Sequence, residues 1–323
     1  MIYIETNSTD ASVNFAAEYY FAAEKRLPDT AFLFWRTEPT LMIGKYQNAL
    51  EEIDKPYADR RGIKVVRRMS GGGTIYTDPG GWQFSFVARD GGGEIRFDEY
   101  MAPVLSALRG LNVDASFNGR NDLVISGRKF SGNAQYRLGG SVVHHGSLLY
   151  DTNLGELVRS TTVDAEKYLS KSIKSVRERV TNIAEHLPSP LSPEAFKELM
   201  VSSILGGGTR FEPDGGDWNR IREIARERFD SWEFTYGASP KFTVSRSTRF
   251  SGGKLRFRLD VQRGAIAAAD LSGDFFALEA VEEIPKRLIG CAYNREAVRA
   301  ALNGLDGAIY RVTLDEIAQA IVD

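Results

Sequence analysis

Arg67-Arg68-Met69-Ser70-Gly71-Gly72-Gly73-Thr74-Ile75-Tyr76-Thr77-Asp78 is the stretch on which the reading of this chain turns. Three consecutive glycines are a poor choice inside a helix or strand, because they add freedom to the unfolded chain and leave nothing to pack. They suit a backbone that adopts positive φ or passes very close to a ligand. Here they join two stretches that read as short strands, Ile63–Val66 and Thr74–Thr77, with two guanidinium groups just upstream. Bare amides beside fixed positive charge suit an anion, and phosphate is the commonest. Taken alone, the stretch equally fits a plain turn with a solvated arginine pair, so both readings stay open at this point. It is neither G-x-x-x-x-G-K-[ST] nor a G-x-G-x-x-G that opens a helix, so a nucleotide bound here needs another architecture.

Outward from this loop, 323 residues suffice for a large core and are expected to divide into two domains. Charge is nearly balanced, with 41 basic and 43 acidic residues and a net charge of −2. That argues against wholesale binding of nucleic acid or an acidic membrane, while leaving room for a local basic pocket. No apolar run of about 18 residues and no basic-then-apolar leader is present, so a cytoplasmic protein is expected. The single cysteine, Cys291, has no internal disulfide partner, and the three histidines lack zinc-site spacing.

Val13–Arg26 is expected to form an amphipathic helix, with Phe15 and Tyr19 inward and Asn14, Glu18 and Lys25 as polar surface. Ala31–Arg36 and Thr40–Ile43 are expected to pair as a hairpin, followed by the polar turn Gly44–Asn48. Tyr57–Arg61 suggests a short helix, Gln83–Val87 a strand, and Asp98–Leu108 a helix whose start Pro103 obscures. The second glycine triplet, Gly91–Gly93, lacks basic neighbours and suits a loop. Asn121–Gln135 reads as two short strands joined by Ser126-Gly127, with Phe130 on the core face and Lys129 opposite. Ser141–Leu149 is a strand carrying His144 and His145, each by itself best understood as packed or hydrogen-bonded. After Tyr150 the pattern turns helical and charged through Val176–His186. Ser192-Pro193 caps a helix with Phe196, Leu199, Met200 and Ile204 as its apolar stripe, and Trp218–Phe229 suggests another. From Lys241 alternation at Leu255, Phe257, Leu259 and Val261, a tight turn at Arg263-Gly264, and helices near Phe275–Glu283, Glu296–Leu302 and Leu314–Ile321 predict a small α+β unit. The boundary is placed near Gly237–Lys241, giving domains 1–240 and 241–323.

With these stretches in view the chain resembles the lipoate–protein ligases. The family's R-R-x-S-G-G-G-x-x-x-x-D corresponds to Arg67 through Asp78, and its N-D-L…G-R-K-x-S-G-x-A to Asn121-Asp122-Leu123…Gly127 through Ala134. Its H-H-G-x-L-L corresponds to His144 through Leu149. Smaller echoes are Ile43–Asn48, Ser175–Asn182, Ser231–Phe234, Arg249-Phe250…Gly252-Gly253 and Leu288–Cys291, so the similarity spans nearly the whole chain. Thr77 departs from the His that often precedes the motif's aspartate.

The resemblance implies an α+β fold: a large mixed-sheet domain of the biotin/lipoate ligase type plus a small α+β accessory domain. It implies that lipoate or octanoate attacks ATP to give an acyl-adenylate, which then acylates one lysine of a lipoyl carrier domain. The carriers are those of 2-oxoacid dehydrogenase E2 subunits or the glycine cleavage H protein. Carboxylate and triphosphate repel each other, so cations and amides must neutralise both. By resemblance, Lys129 is catalytic, bridging acyl carbonyl and phosphate. Arg68, Gly71, Gly72, Gly73, Thr74, Ile75, Tyr76, Asn121 and Asp122 would hold the nucleotide, with Asp122 a ligand to Mg²⁺. Ser70, Gly72, Ser131 and His145, with Lys129, would line the acyl site. A monomer is expected. The rivals are an octanoyltransferase working through a cysteine thioester, a biotin ligase, whose basic G-R-G-R-x-x-R loop is absent, and a non-catalytic binder.

Overall fold

The computed structural model describes residues 1–47, 49–90, 95–161, 178–236, 244–262 and 264–322. Several sequence readings lie wholly or partly outside these residues: Gly91–Gly93, Asn48, the first residues of Ser175–Asn182 and of Val176–His186, the boundary at Gly237–Lys241, and Arg263 of the tight turn.

The frame is an eight-stranded mixed sheet. Strands β1 (Ile2–Ile4), β2 (Ala31–Trp35) and β6 (Gly81–Arg89) run into β10 (Ser141–Leu149), β9 (Arg128–Leu138), β8 (Asp122–Ile125) and β7 (Ala115–Phe117), with β11 (Thr209–Phe211) outside β1. The two pairings made by β1 are parallel; those from β2 to β7 are antiparallel. The expected hairpin between Ala31–Arg36 and Thr40–Ile43 does not form. Both edges of β2 are already taken, by β1 and β6. Thr40–Ile43 (β3) instead sits in a separate three-stranded sheet between β4 (Lys64–Arg67) and β5 (Ile75–Thr77). The glycine loop is thus the β4–β5 connection. The hairpin at Ser126-Gly127 does form, with φ of 49° and 75° at those residues.

The register of the large sheet decides what faces the site. Trp35, Gln83 and Ser147 stand in one cross-strand row, and Leu33, Ser85, His145 and Ala134 in the next. Because strand side chains alternate, both rows share a face. The helix α1 (Ala11–Ala23), capped by Asp10, covers that face, and 215–229 covers α1 in turn. Being sandwiched explains why Asn14 and Glu18, expected on the surface, are completely buried. The opposite face packs against α4 (Asp98–Gly110) and Pro193–Leu205, around Phe32, Phe84, Phe86, Met101 and Phe196. Leu199, expected in the core, is 44% exposed, because that helix is covered on one side only.

A second apolar cluster is built by β13 (Gly253–Gln262), flanked by β12 (Val244–Phe250) and β14 (Ala265–Gly273). Leu255, Phe257 and Leu259 face inward against Ile284, Leu288, Val298 and Ile317. The helix expected over Phe275–Glu283 begins only at Glu279. Before it the backbone is engaged elsewhere: Phe276 O accepts from Tyr310, Leu278 N–H donates to Ala308, and Phe275 O accepts from Gly72 of the glycine loop.

Candidate active site

The two guanidinium groups that precede the glycine loop are both buried, 8% and 5% exposed for Arg67 and Arg68. Arg67 donates to the carbonyls of Gly44, Gln47, Phe234 and Thr235, at 2.6–2.8 Å. Arg68 donates to Met42, Gly71 and Gly73 carbonyls at 2.7–2.8 Å and to Ser70 Oγ at 3.2 Å. Four of the five N–H groups of Arg68 are bonded in this way, so it moulds the loop at the edge of the cavity. Burial pulls Arg67 down to about 10 and, with Arg67 beside it, Arg68 to about 9; both remain charged at neutral pH. Neither has a carboxylate partner among the described residues. Two buried charges offset only by carbonyl dipoles leave the loop with a positive field.

Two of the three glycines are required by their surroundings, Gly71 by contact and Gly72 by its backbone and contact. A Cβ on Gly71 would lie 2.0 Å from the Phe275 carbonyl oxygen, and Gly72 has φ +92° with Phe276 against it. The Gly72 N–H donates to Phe275 O at 2.9 Å. The same approach is reinforced by Tyr46 and Phe275, whose rings stack at 4.7 Å, and by Lys45–Glu282 at 2.5 Å.

Across from the loop, Lys129 is 41% exposed in its side chain, and its Nζ lies 2.7 Å from Asp122 Oδ1. This is an ion pair without hydrogen-bond alignment. Phe130 is fully buried on the other face, as the alternation predicts. Asn121 and Asn133 clasp the two strands, each side-chain amide donating to the other's carbonyl at 3.0 Å. Between loop and lysine is a cavity of about 130 Å³. Of the residues expected from sequence, Arg68, Gly72, Gly73, Thr74, Ile75, Asn121, Lys129 and His145 border it.

Others stand back from it. Tyr76 packs its ring with Leu41, Ile53, Ala58 and Ile63, so its side chain does not line the nucleotide path. Ser131 is buried beneath Asn133, which donates to its hydroxyl at 3.2 Å. Ser70 is buried too, with Oγ 2.6 Å from His145 Nε2. Gly71 borders a separate cavity of about 630 Å³, lined also by Tyr46, Met69, Tyr100, Arg137 and Leu278. His144 turns away from the cavity into the opposite layer, stacked at 5.0 Å on Tyr100; burial drives its pKa well below the ordinary value.

Sequence reasoning missed Glu18, Trp35, Gln83, Ser147 and Phe276. Glu18 is 0% exposed, 3.0 Å from His145 Nδ1 and 2.5 Å from Ser85 Oγ, and completes a buried file from Ser70 through His145. Trp35, Gln83, Ser147 and Phe276 border the cavity directly. The signal for three of them is the cross-strand row, which requires the pairing register. Thr77, in place of the family's usual His, is buried and accepts from Thr37 Oγ1 at 3.2 Å and Gln83 Nε2 at 2.6 Å. Cys291 lies in the second cluster and does not border the cavity, and burial raises its thiol pKa. That removes the support for a thioester route.

Residues 10–205 match the family described as lipoyl protein ligase A/B catalytic domain, and residues 239–321 the bacterial lipoate protein ligase C-terminus. Lipoate-protein ligase LplJ of Bacillus subtilis (strain 168) is 37% identical over 313 residues, covering 95% of this chain and 95% of that protein. Among solved structures, P. falciparum LipL1 in complex with lipoate covers 99% of both chains at TM-score 0.82 and 19% identity, a likeness of fold. A bipartite lipoate protein ligase from Thermoplasma acidophilum, studied with its E2 lipoyl domain, covers 75% of this chain and 98% of its own, at TM-score 0.66 and 26% identity.

Proposed function

The chain belongs to the lipoyl protein ligase A/B family, and from that premise we propose how its site carries out the family's reaction. It is an ATP-dependent lipoate–protein ligase. A lipoate carboxylate attacks the α-phosphorus of ATP and pyrophosphate leaves; a lysine amine of a lipoyl domain then attacks the acyl carbon of the adenylate, forming the amide as AMP leaves and the amine gives up a proton. The observation that carries the assignment to this site is the pair of cations at its edge: the buried Arg68 guanidinium bonded to the loop, without a carboxylate partner among the described residues, and the Lys129 ammonium facing it. Such preorganised charge lets two anions meet without solvent reorganisation.

In this reading Lys129 swings from Asp122 to bridge the acyl carbonyl and the α-phosphate. Gly72 and Gly73 offer amides, and Thr74, Ile75 and the Tyr76 backbone run along the nucleotide with Asn121. Arg68 acts by holding the loop's carbonyls inward so that its amides point out. Gly72 becomes available to phosphate only when Phe275 withdraws, which gives the small unit, taken as 241–323, a covering role. Ser70, His145 and Glu18 form the wall of the acyl site, with Ser131 behind Asn133. One carboxylate near the cavity does not make a protein cage for a metal, and no cluster of three ligating side chains occurs among the described residues. Asp122 nevertheless suits a Mg²⁺ that arrives on the triphosphate, since that ion takes one or two carboxylates plus phosphate oxygens and water. Bound there, it would neutralise phosphate charge.

The carriers are assigned as lipoyl domains of 2-oxoacid dehydrogenase E2 subunits or glycine cleavage H protein, octanoate as an alternative acid, and a cytoplasmic monomer as the working form. No helix among the described residues is long and apolar enough to cross a membrane. Intact-mass spectrometry of an apo lipoyl domain incubated with this protein, ATP and lipoate tests the reading. A lipoyl mass gain on one lysine, absent without ATP, is expected. No gain, or a gain without ATP, overturns it.

A further inference from the structure

His144 heads the H-H-G stretch, and nothing in the mechanism above uses it. It is completely buried on the face of β10 turned away from the cavity, across from Gln135 of β9. Its hydrogen bonds can run in only one direction. The Gln135 amide nitrogen meets the carbonyl oxygen of Arg96, which can only accept, so that nitrogen is fixed in place and donates also to His144 Nδ1 at 3.1 Å. The ring proton therefore sits on Nε2 and is donated to Asn133 Oδ1 at 3.3 Å. Asn133 Nδ2 in turn donates to Asn121 O at 3.0 Å and to Ser131 Oγ at 3.2 Å. A single file of donors thus runs from behind the sheet to Asn121, which borders the 130 Å³ cavity.

A second observation points the same way. A Cβ on Gly146 would lie 2.4 Å from Asn133 Oδ1, so the glycine of the H-H-G stretch leaves room for the amide that its first histidine holds. Asn133 stands at the x of S-G-x-A, a position to which the family resemblance gives no task. Asn121 spends one N–H on Asn133 O at 3.0 Å, and its Oδ1 and second N–H have no partner among the described residues. An amide turned to a ligand acts best when its orientation is already fixed, since no binding energy then goes into ordering it. Resting on the ligase reading above, we propose that His144 is a positioning residue for the nucleotide. It fixes the amide of Asn133, and Asn133 fixes Asn121 with one amide edge left for ATP. The two histidines of the stretch divide the work: His145 stands in the acyl wall, and His144 sets the nucleotide side from behind the sheet.

The test is His144→Phe, which keeps a ring to stack on Tyr100 and removes both nitrogens, measured by lipoate-dependent pyrophosphate exchange. KM for ATP is expected to rise about fivefold, the worth of one hydrogen bond, while kcat and KM for lipoate stay within about twofold. His144→Gln, whose amide again offers one acceptor and a donor, should recover most of that ATP affinity. Because His144 acts through Asn133, Asn133→Ala should also raise KM for ATP, and His144→Phe should add nothing further in the double variant. If His144→Phe does not fold, Asn133→Ser, which shortens the arm and leaves the ring alone, carries the same expectation. An unchanged KM for ATP in the folded variants overturns the inference. So do additive effects in the double variant, an equal rise in KM for both substrates, or a His144→Gln no better than His144→Phe. Failure of wild type to exchange pyrophosphate at all would count against the ligase reading instead.

Discussion

Arg67-Arg68 and Lys129 are the two cationic elements of one site, and they are built in opposite ways. The guanidiniums are buried and bonded mainly to backbone carbonyls, so their positions are fixed. The ammonium is half-exposed, on a flexible stem, and held by one poorly aligned carboxylate. Arginine's planar fork suits the first task, because it satisfies several fixed acceptors at once; lysine's point charge suits a group that has to change partners. One cation shapes the candidate site, and the other is placed to exchange partners.

The sharpest way to break that contrast is Lys129→Ala. Pyrophosphate exchange is expected to fall by at least about 10²–10³, the usual loss for a donor aimed at developing charge, with the urea midpoint unchanged. A stability loss with retained exchange would make Lys129 the structural cation. Arg68→Leu should show the reverse emphasis: about 3 kcal/mol of stability lost, because three buried carbonyls lose their donor, with Arg68→Lys a poor rescue. Full stability with lost ATP affinity would return Arg68 to the role of phosphate ligand. The smallest effect lies behind the site and tells whether the strand bearing His145 is held as described. His144 is buried neutral, with its pKa well below the ordinary value. The unfolded chain protonates near its ordinary value of about 6.5 while the folded chain does not. Stability should therefore decline as pH falls below about 6.5, by up to about 1.4 kcal/mol per pH unit. Denaturation of His144→Gln between pH 7 and 5 should lack that slope; an unchanged slope would show that the proton binds elsewhere.

Much of the fold could be read before any coordinates. Periodicity located Ser141–Leu149 to the residue, the capped helix after Ser192, and the Ser126-Gly127 turn, because each depends on neighbours in sequence. The errors share one cause. Glu18 was assigned to the surface because a helical wheel assumes one solvated side, whereas α1 is packed between the sheet and 215–229. The hairpin expected between Ala31–Arg36 and Thr40–Ile43 does not form because both edges of β2 are claimed, by β1 and β6, pairings with no local signature. Phe275–Leu278, the start of the helix expected over Phe275–Glu283, is not helical because its backbone groups are bonded to distant segments.

Spacing and residue type determined the motifs and their order, and the family resemblance that these carry implied the chemistry of carboxylate activation and acyl transfer. The tertiary structure decided which cation is buried and which is free, that Glu18 stands behind His145, and that Gln83 faces the cavity. Those facts depend on strand register and on layers meeting across more than a hundred residues of sequence, and short-range pattern carries no information about either.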